Sequence, residues 1–130
     1  MPIADLPLFS MLRTRMQWHQ ERQRLLAENV ANADSPGYRP RDLAPLQFDR
    51  PGQALTQVGL ERTASAHLSG SMGATSRFEA SRLGGYDVRP SGNAVSLEEE
   101  MLKVAANQMD YQAAVALYTR SLALIKTAVK

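Results

Sequence analysis

The most regular pattern of apolar and polar positions lies in the C-terminal quarter of the chain. Within residues 96–130, apolar or aromatic side chains recur at steps that alternate between four and three residues, with Gln108 at the one polar position. The row consists of Leu97, Met101, Val104, Gln108, Tyr111, Val115, Tyr118, Leu122, Ile125 and Val129. Such alternation places the side chains in one stripe along a helix and is typical of a helix that packs against another helix.

The ends of this segment also favour a helix. Ser96 and Glu99 fit a capping box, and the acidic run 98–100 suits the positive end of the helix dipole. Lys126 suits the negative end, and Glu99 is spaced to pair with Lys103 one turn along. No Pro or Gly interrupts the segment, so one helix is predicted over residues 96–130.

A second apolar line widens the apolar surface of this predicted helix. It consists of Leu102, Ala105, Met109, Ala113, Ala116 and Leu124, and it adjoins the first row. One partner helix is too narrow to cover both lines, so we expect contacts with other subunits as well.

A row with the same alternation predicts an N-terminal helix over residues 8–33. It consists of Phe9, Leu12, Met16, His19, Gln23, Leu26, Val30 and Ala33. His19 is interpreted as an interface or solvated residue, since the sequence around it lacks the spacing of a zinc motif. The polar positions His19, Gln23 and Gln108 are expected to fix the register of helix pairing at some cost in stability.

These two rows predict a mainly α fold in which two long terminal helices pack as a coiled coil. An irregular middle segment joins them and can include a short β-hairpin. From the N-terminal row, Leu12, Met16, Leu26 and Val30 join the ten C-terminal positions as the predicted assembly stripe. A chain of 130 residues is expected to form one domain, with turns, loops and short strands over residues 34–95.

Turn signals divide the middle segment. The first helix should end near Asn32, and Pro36-Gly37 suits a type II turn because Gly accepts the positive φ that this turn requires. Residues 39–51 contain three prolines and allow at most a short extended segment, whereas a brief alternation within residues 52–68 could form a strand or hairpin. The 90–93 turn leads into the C-terminal helix.

Composition narrows the functional classes. The absence of cysteine excludes disulfides, thiolate metal sites and cysteine nucleophiles, and a net charge of +2 is too small to argue for nucleic acid. No phosphate-binding loop or nucleophile elbow is present, and His67 has no suitable neighbours in sequence. We predict no catalytic, cofactor-binding or metal-binding residues. The N-terminus does not read as a cleavable signal peptide, and no stretch is apolar enough to span a membrane.

The stretch 27–39, AENVANADSPGYR, resembles the N-terminal signature of flagellar rod and hook proteins. The matching signature residues are Asn29, Asn32, Ser35, Pro36, Gly37 and Tyr38. The C-terminal run resembles the terminal helix of the same family, and the short chain is most similar to the proximal rod proteins of the basal body. One departure is Ser91-Gly92-Asn93, where the family pattern leads us to expect Asp-Gly-Asn.

This resemblance implies a non-enzymatic structural subunit that self-assembles through its terminal helices into an axial tube, which transmits torque and forms the export channel. Implied partners are other copies, neighbouring rod proteins, the rod-to-ring adaptor FliE and the flagellar export gate, with no nucleic acid and no membrane insertion. The implied location is the rod within the periplasm, reached through the flagellar export apparatus without a cleavable signal.

From the residues alone, two alternatives stay open. These are a small cytoplasmic coiled-coil adaptor and a basic helical module that binds nucleic acid through its N-terminal helix. Salt distinguishes them, because phosphate binding weakens steeply with ionic strength and an apolar helix seam does not.

Overall fold

A computed structural model describes residues 6–50, 53–54, 78–82 and 88–129 of the chain. Two long helices dominate it: α1 spans Pro7–Ala31 and α2 spans Leu97–Ala128. Four short strands lie between them: β1 (Arg41–Leu43), β2 (Phe48–Arg50), β3 (Gln53–Ala54) and β4 (Ala80–Arg82). The predicted mainly helical fold is confirmed. Neither helix is long and apolar enough to cross a membrane.

The two helices run antiparallel along one another. Phe9 near the start of α1 packs edge-on against Tyr118 near the end of α2, with ring centroids 5.3 Å apart. At the other end of the pair, Asn29 of α1 meets Glu100 of α2. At 1.5 Å per residue, α1 is about 38 Å long and α2 about 48 Å, so the last turns of α2 extend past the first residue of α1.

The helix ends differ in detail from the sequence expectation. α1 starts one residue early because Pro7 suits the first helical turn, where its missing N–H costs nothing. Asn32 ends α1 as predicted, but with φ −99°, outside the left-handed region. At α2, Ser96 makes no side-chain cap hydrogen bond, so the predicted capping box is wrong. The predicted pair of Glu99 with Lys103 is confirmed, at 2.8 Å.

The strands form two small antiparallel sheets. β1 pairs with β4 in the register Arg41 with Arg82 and Leu43 with Ala80, and β2 pairs with β3. The proline-rich segment is thus extended only briefly, as predicted. The strand or hairpin expected within residues 52–68 falls almost wholly outside the described residues.

The β1–β4 sheet is attached to one side of α1. Leu25, Leu43 and Phe78 form a small buried cluster. Trp18 packs against this cluster and donates its indole N–H to the Ala44 carbonyl at 3.0 Å. This packing covers a side of α1 that α2 does not reach.

Candidate assembly site

A buried polar layer crosses the middle of the helix pair. The Asn107 amide of α2 donates to the His19 carbonyl and to Gln23 Oε1, both at 2.9 Å. His19 Nδ1 donates to Asn107 Oδ1 at 2.7 Å, because an amide oxygen can only accept. His19 is 3% exposed and Asn107 is 1% exposed. We call these three side chains the central layer.

A second polar layer lies near the end of the pair and consists of Asn29, Glu100 and Lys103; we call it the end layer. Asn29 Nδ2 donates to Glu100 Oε2 at 2.8 Å, and Lys103 Nζ donates to Glu100 Oε1 at 3.0 Å. Burial alone would lower the pKa of Lys103, but its hydrogen bonds to Glu99 and Glu100 outweigh this and raise the pKa. The buried Glu100 carboxylate is therefore held by a neutral donor from α1 and a cation from its own helix.

Asn29 also joins the helix pair to the segment that follows α1. Its Nδ2 donates to the Arg41 carbonyl at 2.7 Å, and its Oδ1 accepts from the Arg41 N–H at 3.0 Å and the Tyr38 hydroxyl at 3.1 Å. Both donors and both lone pairs of the amide are thus used. Burial, followed by the charge of Glu28, raises the pKa of Tyr38, which keeps the phenol neutral as a donor.

The remaining signature residues form a turn that contacts the approach to α2. Asn93 Nδ2 donates to the carbonyls of Asn32 (2.9 Å) and Ser35 (2.7 Å), and the Ala94 N–H donates to the Tyr38 carbonyl at 3.0 Å. We call this contact between residues 32–38 and 91–95 the turn clamp. It connects the end of α1 to the start of α2 without passing through the middle segment.

The turn clamp requires glycine on both sides. Gly37 has φ +69° and Gly92 has φ +80°, backbone angles that residues with a Cβ atom rarely adopt. A Cβ on Gly92 would also lie 3.3 Å from the Gly37 Cα. The predicted turn at Pro36-Gly37 is therefore present, and its role is to let two turns approach closely.

The predicted assembly stripe has three environments in the structure. Leu12 and Leu26 are buried, and eight positions are half-buried between the helices: Met16, Val30, Val104, Tyr111, Val115, Tyr118, Leu122 and Ile125. Leu97, Met101, Gln108 and Val129 are exposed. At the middle of the pair, the polar residue that α2 buries is Asn107, one position before Gln108, so Gln108 takes no part in the central layer.

The second apolar line, which was expected to adjoin the first row, lies on the opposite side of α2 instead. This side faces away from α1, is apolar and has no cover among the described residues. We call it the outer face; it contains Leu102, Met109, Ala113, Ala116 and Leu124, all exposed. The three large side chains, Leu102, Met109 and Leu124, are 70–72% exposed. A groove between the helices, lined by Leu12, Arg15, Asp110, Ala113, Ala114 and Leu117, opens beside this face. Large apolar side chains exposed on one side of a helix, here interrupted by Arg120, mark a contact site for another molecule.

Several arginines of α1 are engaged within the chain. Arg22 makes a bidentate pair with Asp42 at 2.8 Å and stacks over Trp18, and Arg24 pairs with Glu21 and Glu28. The hydrogen bond with Asp42 raises the pKa of Arg22. Two of the four arginines of α1 are thus neutralised within the chain, whereas Arg13 and Arg15 are exposed. In the described ranges, no group of three His, Asp or Glu side chains is placed to hold a metal ion.

Sequence reasoning missed three residues of the site. The acidic run 98–100 is predicted to interact with the helix dipole, yet Glu100 is 2% exposed and belongs to the end layer. The spacing of the apolar row predicts Gln108 as its polar position, whereas the structure buries Asn107. The signal for Glu100 and Asn107 is their spacing of one heptad, which places them on one side of α2. Trp18 had no periodic signal, because it faces the β1–β4 sheet.

Comparison with known proteins identifies the family. No family model matches the chain. The flagellar basal body rod protein FlgB of Agrobacterium fabrum is 31% identical over 115 residues, which cover 84% of this chain and 82% of that protein. FlgB of Cereibacter sphaeroides is 34% identical over 113 residues (85% and 84%), and FlgB of Escherichia coli is 33% identical over 101 residues (71% and 70%). The chain therefore belongs to the FlgB family of flagellar basal body rod proteins, as its two terminal segments predict.

Proposed function

We propose that this chain is a structural subunit of the proximal rod, which assembles through its terminal helices into an axial tube. The observation that carries the proposal is the outer face of α2, whose large apolar side chains Leu102, Met109 and Leu124 are mostly exposed and are not covered by any described part of the chain. Burying it against neighbouring helices contributes about 25 cal/mol per Å² of apolar area. The tube would transmit torque and form the export channel.

The proposed partners follow from the family. They are other copies of the chain, neighbouring rod proteins, the adaptor FliE and the export gate. The proposed location is the rod within the periplasm, and the proposed route is flagellar export without a cleavable signal. A chain without cysteine suits this route, because no disulfide has to be broken before it unfolds for export.

An enzyme is not proposed. His19 is 3% exposed and its Nδ1 is hydrogen-bonded to Asn107, and the family relatives are rod proteins by name. The pairing of Arg22 and Arg24 within the chain also weighs against the nucleic-acid alternative.

Met109→Asp tests the proposal. Met109 is 70% exposed, so the substitution should leave the purified chain folded, with helicity and melting temperature close to those of the unchanged protein. In cells it should abolish swimming and remove the chain from isolated basal bodies, because a carboxylate would be buried in the subunit contact. Ala27→Asp, at an exposed position of α1, is the matched control and should swim. Normal swimming with Met109→Asp chains present in the rod would contradict the proposal.

A further inference from the structure

α2 buries polar side chains and exposes apolar ones. Its fully buried side chains are Glu100, Asn107 and Ala114, whereas Leu102 and Met109 are mostly exposed. The side that meets α1 is itself apolar around these polar residues, with Val104, Tyr111, Val115, Tyr118, Leu122 and Ile125 half-buried. Because both sides of α2 offer apolar area to a partner helix, the buried polar groups distinguish the two sides more sharply than apolar burial does.

We propose that the central and end layers select the side of α2 that pairs with α1, and so keep the outer face free. The use of the free face for subunit contacts rests on the proposed function. The choice of which side of α2 meets α1, in contrast, is made within the single chain. Asn107 and Glu100 are thus the positions that determine pairing specificity.

The central layer distinguishes the two sides of α2. Asn107 makes three hydrogen bonds to α1, with the His19 carbonyl, His19 Nδ1 and Gln23 Oε1. If α2 turned by half a rotation, Ala116 and Met109 would face α1 and Asn107 would face solvent. His19 and Gln23 would then be buried without partners, at about 1–3 kcal/mol for each unsatisfied group.

The end layer excludes a sliding error. Glu100 precedes Asn107 by one heptad, and Asn29 follows His19 and Gln23 along the antiparallel partner. A shift of α2 by one turn would separate Asn29 from Glu100 and Asn107 from His19 together. Because both layers must match at once, they fix rotation and axial position jointly, as single polar positions do in coiled coils.

The layers are poorly suited to a purely stabilising role. His19 Nε2 is buried and has no hydrogen-bond partner within the part of the chain that the structure describes. Replacing buried polar groups by apolar ones of similar volume is often neutral or stabilising. The unsatisfied nitrogen is therefore a cost in stability, which pairing specificity explains.

Cysteine cross-linking in the purified full-length chain tests the inference, since the chain has no native cysteine. Gln20→Cys with Tyr111→Cys reports the native side, where the Gln20 amide lies 3.2 Å from the Tyr111 hydroxyl. Gln20→Cys with Met109→Cys reports the outer face. Positions 109 and 111 are about 3 Å apart along α2 but lie on opposite sides of it.

A short bis-maleimide should link the native pair at least about tenfold faster than the outer pair in an otherwise unchanged chain. In a His19→Leu/Gln23→Leu/Asn107→Leu background, the ratio of the two rates should fall towards one. Work at high dilution, with products separated by mobility, restricts the readout to links within one chain. Asn29→Leu/Glu100→Leu repeats the test in the end layer and should also lower the ratio.

An unchanged ratio in both backgrounds would overturn the inference. Circular dichroism of the leucine variants should show retained helix and an equal or higher melting temperature. Loss of helix would overturn the inference as well, because the layers would then supply stability and not selection. Either failure would leave the rod role intact, since that role is tested in cells by Met109→Asp.

Discussion

The two helices of this chain present opposite outer surfaces, although both carry the same three-four alternation. The exposed row on α1 is polar and consists of Arg13, Gln17, Gln20 and Arg24. The corresponding side of α2 is apolar, with Leu102, Met109 and Leu124 at least 70% exposed. A solvent-exposed helix normally has a polar outer side, as α1 does, whereas a helix that is apolar all round is normally buried. In the single chain, only α1 therefore has the outer surface expected of a helix that faces solvent.

This difference indicates that the single chain leaves one apolar surface, the outer face of α2, available for contact with another molecule. The sheet side of α1 is covered by Leu43 and Phe78, and its α2 side by the helix pair. The outer face of α2 has no such cover in the described residues. Stability of the monomer should therefore depend on the contacts of α1 with α2 and with the sheet, and assembly should depend on the outer face of α2.

The same truncation on the two helices should show the largest contrast. Leu26→Ala on α1 removes a side chain with 0% exposure and should lower the free energy of unfolding by about 3 kcal/mol. Leu124→Ala on α2 removes a side chain with 70% exposure and should change it by less than about 0.5 kcal/mol. Urea unfolding of both purified variants measures the two free energies of unfolding. Equal losses in the two variants would contradict the proposed difference between the helices.

Adjacent residues of α2 should differ nearly as much. Asn107→Ala removes three hydrogen bonds to α1 and leaves the buried His19 and the half-buried Gln23 without them, so it should cost about 2 kcal/mol. Gln108→Ala alters an exposed side chain and should cost less than about 0.5 kcal/mol. The unfolding midpoints of the two variants decide which position belongs to the seam. A larger effect at Gln108 would reverse the assignment.

The attachment of the β1–β4 sheet to α1 should contribute a smaller amount. Arg22→Lys keeps the charge but loses the bidentate pair with Asp42 and the stacking on Trp18, at a cost of about 1 kcal/mol. Trp18 fluorescence should shift as its contact changes, while α-helical circular dichroism stays the same. Arg13→Lys, at an exposed position, is the control. A Trp18 spectrum unchanged by Arg22→Lys would contradict this view of the attachment.

The end layer should give the smallest effect, a dependence on alkaline pH. The pKa of Lys103 is raised in the folded chain, so its contribution is present at neutral pH and is lost as pH rises through the folded value. The melting temperature should therefore decline above about pH 10.4. Lys103→Met should make the decline shallower, and Lys126→Met, at an exposed position, should not. Equal slopes in both variants would exclude this role for Lys103.

The sequence predicts the secondary-structure elements of this fold better than it predicts which side of each helix packs against its neighbour. Periodicity identifies both helices, and Pro36-Gly37 identifies the turn, because those signals are local. It cannot choose between Asn107 and Gln108, since α2 is apolar on nearly every side and several rows fit the same spacing. Glu100 looked like a capping residue because its burial depends on Asn29, 71 positions earlier. Contacts over such distances leave no local pattern.

The most direct test of the central claim is the accessibility of a single cysteine on the outer face. Met109→Cys should react rapidly with a small maleimide in the purified monomer, because Met109 is 70% exposed, and should be protected in isolated basal bodies. The protection would show that assembly covers the surface which α1 leaves open. Equal reaction rates in monomer and basal body would contradict the claim that the outer face of α2 is the assembly surface.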